Sequence, residues 1–192
     1  MSNSRFSWTR LLFLLLVVVP VASWFVVKPV RVIAPTWAGV SCPTANVCVD
    51  DPARLEEARA LYEEAEAFVS ANVYQMGRLP RVVFCSSEAC AQGFGLGPRA
   101  AVTVGTFGTV IGPRAWTPYL VRHEMIHFLQ GRRLHALALL VKPRWFVEGM
   151  AYALSDDPRR PLDPPFEAWR QEFLDWYGKV GKDRLWSEAG RL

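Results

Sequence analysis

Apolar and polar residues follow each other along this chain in a pattern that predicts a few helices and short strands. After Asp51-Pro52, a suitable N-cap and first helical position, apolar residues recur every three or four positions, with glutamates between them. These apolar positions are Leu55, Ala58, Tyr62, Ala65 and Val69. The spacing predicts an amphipathic scaffold helix that reaches about residue 74 and ends near Gly77.

The next segments are short and rich in β-branched residues, which favours strands. Residues 81–85 form one predicted strand, and residues 101–104 and 109–111 form two more. The glycine-rich residues 105–108 between the last two predict a hairpin. Residues 93–98 are also rich in glycine, but they lack the Lys-Ser/Thr of a phosphate-binding loop, so we interpret them as a plain loop.

A second helical segment contains the pattern His-Glu-Xaa-Xaa-His at residues 123–127. Thr117-Pro118 predicts its start and Gly131 its end, so the helix should cover residues 118–130. Positions four apart lie on one helix face, so the imidazoles of His123 and His127 can meet at one point, as in a zinc site. Glu124 could then reach a metal-bound water without being a ligand. An amphipathic helix with two packing histidines is the structural alternative.

Glu148 is the candidate third ligand. It lies in the apolar segment of residues 145–152, on a short predicted helix opened by Pro143. A carboxylate in such surroundings is costly to bury unless a cation meets it, and zinc would be that cation. An ion pair with Arg144 or Arg122 is the alternative.

These two motifs, HEMIH and the glutamate of WFVEGMA 21 residues later, resemble the gluzincin metallopeptidases, the thermolysin-like group. The resemblance covers about residues 100–152. It implies Zn²⁺ on His123, His127 and Glu148, with Glu124 as general base and the preceding hairpin strand as an edge that holds the substrate backbone. A plain sheet hairpin without a substrate role is the structural alternative. The group also carries an Asp four residues after the ligand Glu to orient a histidine, where this chain has Tyr152.

Two roles therefore stay open at the level of sequence. Asp156 and Asp157, one helical turn later, are the candidates for orienting a ligand histidine. Tyr152 is the candidate donor to a tetrahedral oxyanion, because it lies four residues after Glu148 on the same face, while Tyr119 and His135 are alternatives. Packing in the core is the structural interpretation of Tyr152.

His135 offers a rival ligand set, because metzincins read HExxHxxGxxH. That pattern needs Gly at position 130 and His at position 133, where Gln130 and Arg133 stand. We therefore interpret His135 as a surface or packing residue.

The first 35 residues carry a targeting segment. Residues 11–27 contain no charge and follow Arg5 and Arg10, as in a signal anchor, although 17 residues is the lower limit for crossing a bilayer. Small residues at positions 21–23 allow a cleavage site, but the apolar run continues beyond them and favours an uncleaved transmembrane helix. We expect residues 36–192 to form the folded domain.

Four cysteines in two close pairs behind an export segment predict disulfides in an oxidising compartment. Cys42–Cys48 and Cys85–Cys90 are the natural pairs, although four cysteines allow three connectivities. The domain should then lie on the extracytoplasmic side, periplasmic or extracellular. The net charge of +4 is modest and the chain has no long basic run, so the sequence does not indicate nucleic-acid binding.

The remaining pattern is an aromatic stripe after a proline-rich connector, which predicts a closing helix against the core (Phe166, Trp169, Phe173, Trp176, Tyr177 and Val180).

The sequence thus predicts an α+β, zincin-like domain with a short mixed or antiparallel sheet. The expected function is zinc-dependent hydrolysis of peptide bonds by a membrane-anchored peptidase. A zinc-stabilised binding module without catalysis is the alternative class, although a structural zinc site needs no general base.

Overall fold

A computed structural model describes residues 8–19 and 26–192 and shows an α+β fold built on a four-stranded sheet. The strands are β1 (Val47–Val49), β2 (Val82–Phe84), β3 (Ala101–Val104) and β4 (Gly108–Ile111). Their order is β1-β2-β4-β3; β1, β2 and β4 are parallel, and β3 runs antiparallel to β4. The predicted hairpin is therefore present, and its first strand lies at the edge of a mixed sheet.

Seven α-helices accompany this sheet in the described part of the chain. They are α1 (Trp8–Phe13), α2 (Leu55–Asn72), α3 (Glu88–Gly93), α4 (Pro118–Leu134), α5 (Arg144–Leu154), α6 (Phe166–Val180) and α7 (Leu185–Arg191). The scaffold helix, the motif helix, the helix of Glu148 and the closing helix all lie close to their predicted positions. β1, α3 and α7 were not predicted from the sequence.

The sheet separates two apolar clusters, because successive strand side chains point to opposite faces. Val82 and Phe84 of β2 pack in the larger cluster with α2, α4, α5 and α6. Val83, between them, packs in a smaller cluster with Val32 and Phe94. The larger cluster holds α4 firmly between the sheet, α2 and α5, which is what positions the motif histidines.

The predicted end of α4 at Gly131 is wrong, since the helix continues to Leu134. Gly131 faces the hairpin instead: a Cβ there would lie 3.2 Å from the carbonyl oxygen of Gly105 and 3.3 Å from Cγ2 of Thr106. The glycine thus allows the hairpin to approach the helix closely. At the other end, Thr117 is the extended N-cap before Pro118, but its hydroxyl makes no capping bond.

The closing helix α6 packs along α5, as the aromatic stripe predicts. Phe146 of α5 lies 6.2 Å from Phe173 and 5.6 Å from Trp176 between ring centroids. Gly149 of α5 sits directly against the Trp169 carbonyl group of α6, where any side chain would collide. The helix that carries Glu148 is therefore held in place by close contact with α6.

Both predicted disulfides, Cys42–Cys48 and Cys85–Cys90, are present. The residues after the predicted anchor pack onto the domain: Val32 is fully buried, and Arg31 Nη1 donates to the Gly93 carbonyl at 2.6 Å. Within residues 8–19 and 26–192, no helix has the length and apolar character needed to cross a membrane. Residues 20–25, inside the predicted span of residues 11–27, lie outside the described residues.

Candidate metal centre

The two motif histidines and the downstream glutamate converge on one point. His123 and His127 are one turn apart on α4, and their Nε2 atoms lie 3.0 Å from each other. Glu148 approaches from α5, with Oε2 3.8 Å from His123 Nε2 and 3.5 Å from His127 Nε2. Within the described residues, these three form the one group of His, Cys, Asp or Glu side chains spaced to hold a metal ion.

The distances among these donor atoms fit a small divalent cation. Zinc bonds of about 2.0–2.1 Å at tetrahedral angles place ligand atoms roughly 3.3 Å apart, close to the 3.0–3.8 Å seen here. Two imidazole nitrogens and one carboxylate also match the donor set of hydrolytic zinc sites, which keep a fourth position open. The residues present therefore fit zinc.

Gln130 supports this centre and was not predicted from the sequence. Its Nε2 donates to the Val147 carbonyl at 2.9 Å, which turns Oε1 towards Nδ1 of His127, also 2.9 Å away. In neutral His127 the proton then lies on Nδ1, and Nε2, which faces Glu148, is the nitrogen with the free lone pair. Because Val147 precedes Glu148, the same amide also ties α4 to α5 beside the third ligand.

The aspartates expected to orient a histidine do not do so. Asp157 is buried but binds the guanidinium group of Arg159 at 2.5 Å, and Asp156 lies 3.5 Å from Arg122. Nδ1 of His123 is buried and finds no hydrogen-bond partner among the described residues. The ring of His123 is held instead by the ring of Tyr152, which meets it edge-on with centroids 4.4 Å apart.

Glu124 lies beside the cluster without joining it. Its Oε2 accepts a hydrogen bond from the Thr103 hydroxyl at 2.7 Å, and its backbone carbonyl lies 3.0 Å from the same hydroxyl. Thr103 belongs to β3, so the edge strand and the motif helix are joined at the residue next to His123. Among the described residues, nothing donates a hydrogen bond to the second carboxylate oxygen of Glu124.

Burial and mutual charge separate the pKa values of these groups. Burial lowers the pKa of His123 to about 3, and the positive charge of His127 acts in the same direction. Burial also disfavours protonated His127, but the hydrogen bond and charge of Glu148 outweigh it and raise that pKa to about 9. Without metal, His127 and Glu148 therefore form an ion pair. Burial raises the pKa of Glu124, which suits a group that accepts and returns a proton.

Arg144 and Arg122, the alternative partners of Glu148, do not account for its position. Arg144 is exposed and its guanidinium is 4.0 Å from the carboxylate, which is a weak surface contact. Arg122 binds Glu64 of α2 instead. His135, the rival third ligand, is exposed near the end of α4 and is not part of the cluster.

Arg159 is a further residue at this site that sequence analysis missed. Asp157 holds its Nε and Nη2, and its guanidinium carbon lies 5.1 Å from the ring centroid of Tyr119 and 5.9 Å from that of Tyr152. Arg170 fixes the backbone by donating to the Arg159 carbonyl at 2.9 Å. Loop residues that meet only in three dimensions leave no periodic signal, which is why the sequence gives no indication of this group.

The comparisons with known proteins add nothing to this geometry. Models of protein families, characterised proteins and solved structures all give no match. The three-residue cluster could hold a metal ion, and its two ligand helices belong to an α+β fold with a mixed sheet.

Proposed function

We propose that this protein is a membrane-anchored zinc metallopeptidase that hydrolyses peptide bonds outside the cytoplasm. The observation that carries this proposal is the convergence of His123, His127 and Glu148 beside a buried carboxylate that is not part of the cluster. A merely structural zinc site closes its fourth position with a protein ligand and needs no free base. This difference favours the peptidase over a zinc-stabilised binding module.

His123, His127 and Glu148 would hold the zinc ion, and Gln130 keeps His127 in the tautomer that can bind it. Zinc in such a site polarises a carbonyl group and makes a bound water acidic near neutral pH. Glu124 accepts the proton of the attacking water and delivers it to the leaving amine. Thr103 holds one oxygen of that carboxylate, so the other oxygen is available for the proton.

The edge strand β3 supports a peptide as the substrate. One side of β3 pairs with β4, and within the described residues no strand pairs with its other side. An extended peptide can bind to such an edge through backbone hydrogen bonds, largely independently of its sequence. Thr103 joins β3 to Glu124, so a peptide on this edge lies next to the general base.

Two groups at the margin of the site are suited to stabilise a tetrahedral oxyanion. Tyr152 lies against His123, and burial followed by the charge of Glu148 raises its pKa to about 12, so its hydroxyl stays a proton donor. Arg159 faces the same tyrosine and is held by Asp157, but no described residue accepts a hydrogen bond from its Nη1. A preorganised donor of this kind is commonly worth about 10²–10³ in rate.

The extracytoplasmic location rests on the export-type segment of residues 11–27 together with the two disulfides. Disulfides persist in oxidising compartments, and an uncharged segment behind two arginines is typical of a signal anchor. The proposal therefore places the catalytic domain outside the membrane that the segment would anchor it to.

The decisive experiment is Glu124→Gln in the full chain, with bound zinc and cleavage of a quenched fluorescent peptide library as the two readouts. We expect zinc binding to persist and cleavage to fall by about 10²–10⁴, the usual contribution of a general base. Glu148→Ala should lose zinc, whereas His135→Ala should keep both zinc and activity. Equal cleavage by wild type and Glu124→Gln would remove Glu124 from the mechanism, and zinc loss on His135→Ala would reject the ligand set.

A further inference from the structure

The loop between the two ligand helices exposes large aliphatic side chains. Leu137, Leu140 and Val141 are 80%, 80% and 84% exposed. Leu139, in the same loop, turns inward and packs against the main core. Apolar side chains exposed to this extent on adjacent positions are unusual in a folded domain and mark a surface that meets an apolar environment.

The loop presents these side chains in a fixed arrangement. Ala138–Leu140 form a 3-10 turn, in which residues three apart eclipse each other, so Leu137 and Leu140 project together. Backbone hydrogen bonds close the turn, among them those from Ala138 N to His135 O at 3.0 Å and from Leu140 N to Leu137 O at 3.2 Å. The exposed residues therefore belong to an ordered turn that links α4 to α5.

The charged residues of this loop and of the helix turns next to it along the chain are all basic. Residues 125–147 contain Arg132, Arg133, Lys142 and Arg144 but no Asp or Glu. Arg132 is exposed and no described residue pairs with it. Every acidic residue of the chain except the buried Glu124 lies in residues 50–88 or 148–192. The aliphatic turn is thus bordered by cations on an acid-free stretch of chain, a pattern that complements a negatively charged surface.

The hairpin tip extends this surface towards the predicted anchor. Ala136 Cβ is 3.3 Å from the position that a Cβ on Gly105 would take, so the loop and the hairpin tip are in contact. Phe107 at this tip is 62% exposed and lines one cavity together with Ile33, which is 48% exposed. Residues 26–49 and 89–123 also contain no acidic residue. Contacts through the hairpin tip therefore connect the loop to Ile33, and these stretches of chain carry no acidic residue.

We propose that this loop surface (Leu137, Leu140 and Val141 with Arg132 and Lys142) docks into the headgroup region of an anionic lipid bilayer. Aliphatic side chains inserted below a ring of Lys and Arg are the usual design of interfacial membrane contacts. Protein-binding hot spots are instead enriched in Trp, Tyr and Arg that fill a matching pocket. The lipid contact is independent of metal and catalysis, and it adds a second contact to the anchor proposed above.

This docking would restrict the substrates of the site. His127 lies seven residues before the end of α4. This places it about 10 Å, measured along the helix axis, from the start of the docking loop. A loop held at the lipid surface would keep the metal centre close to that surface and fix its orientation, because the loop joins both ligand helices. Peptide segments that lie near the membrane are then the substrates that can reach it.

The test is hydrogen exchange by mass spectrometry on the full chain with lipid nanodiscs, either zwitterionic or containing phosphatidylglycerol. We expect the amides of residues 135–142 to exchange about tenfold more slowly with the anionic nanodiscs than with the zwitterionic ones. The triple variant L137S/L140S/V141S and the double variant R132Q/K142Q should each lose this difference. Leu174→Ser is the matched control, since Leu174 is 38% exposed on α6 among acidic residues and should leave the difference intact.

Thermal unfolding of each variant checks that it is folded, and the readout does not use catalysis, so failure here leaves the peptidase proposal untouched. Equal exchange of residues 135–142 in the two kinds of nanodisc would overturn the docking proposal. Protection that appears without lipid and grows with protein concentration would also overturn it, because a second copy of the chain would then cover the loop.

Discussion

At the scale of single residues, the sequence predicted that the three candidate ligands converge. It did not predict which residues hydrogen-bond to the ligand histidines and orient them. His123 and His127 are related by one helical turn, which a sequence pattern shows directly. The cost of burying Glu148 in an apolar segment indicates that it meets a cation. Gln130 gives no such signal, because its second partner, the Val147 carbonyl, is reached only through the packing of two helices. Asp156 and Asp157 were wrong candidates because both turn to arginines.

Replacing Gln130 tests its positioning role. In Gln130→Met the side chain keeps its approximate volume but loses both hydrogen bonds, so His127 is free to rotate and change tautomer. We expect zinc affinity to fall by about 10–100-fold, the usual effect of removing a partner of a ligand histidine. Competition with a fluorescent zinc chelator measures this affinity.

Gln171→Met is the control, since Gln171 is exposed on α6 and its side chain, within the described part of the chain, bonds Glu167 alone. It should bind zinc like the wild type. An unchanged zinc affinity in a folded Gln130→Met variant would show that Gln130 does not orient the ligand.

At the scale of elements, periodicity predicted the long amphipathic helices and the hairpin, and tertiary contacts decided where the elements end. Gly131 resembles a helix stop, but the helix continues through it to Leu134. The glycine is needed there because the hairpin packs so closely that it leaves no room for a side chain. β1 and α3 were missed because three- and six-residue elements are too short to show a period. Gly149 is a second glycine inside a helix, and there too a neighbouring element, the Trp169 carbonyl group of α6, leaves no room for a side chain.

Gly149→Ala tests whether the contact of α5 with α6 positions Glu148. The new methyl group would meet the Trp169 carbonyl and lie 3.0 Å from Phe173 Cβ, so the helices must separate. We expect a loss of about 1–3 kcal/mol in unfolding free energy, as for other overpacked cores, together with weaker zinc binding. Chemical denaturation and zinc titration measure the two effects.

The matched variant is Gly178→Ala on α6, where nothing lies within 4 Å of the added methyl group. Alanine is the better helix former, so this variant should gain up to about 1 kcal/mol and bind zinc normally. Equal stability of both variants would mean that the α5–α6 contact adapts without cost.

At the scale of the whole molecule, α4 and α5 pack in one core and bring their candidate ligand atoms close together. Without a metal ion, this places polar and charged groups in unfavourable proximity. Without metal, two imidazoles and a carboxylate share a largely buried space, and a proton on His127 balances the charge of Glu148. A divalent cation bound here would replace that proton and join the two helices through three bonds. Zinc binding should therefore stabilise the entire domain, because α4 is packed against both the sheet and α5.

Thermal unfolding with and without zinc measures this stabilisation. At a free zinc concentration of about 100 times Kd, linkage predicts about 2.7 kcal/mol, provided that the unfolded chain binds zinc weakly. For a domain of this size that corresponds to a rise in Tm of roughly 5–10 °C, which a chelator should reverse.

Glu148→Gln removes one ligand and should lose most of this rise, whereas Glu172→Gln, an exposed change on α6, should keep it. Glu124→Gln should also keep it, since Glu124 lies outside the ligand set. A full rise in Glu148→Gln would show that zinc binds elsewhere on the chain.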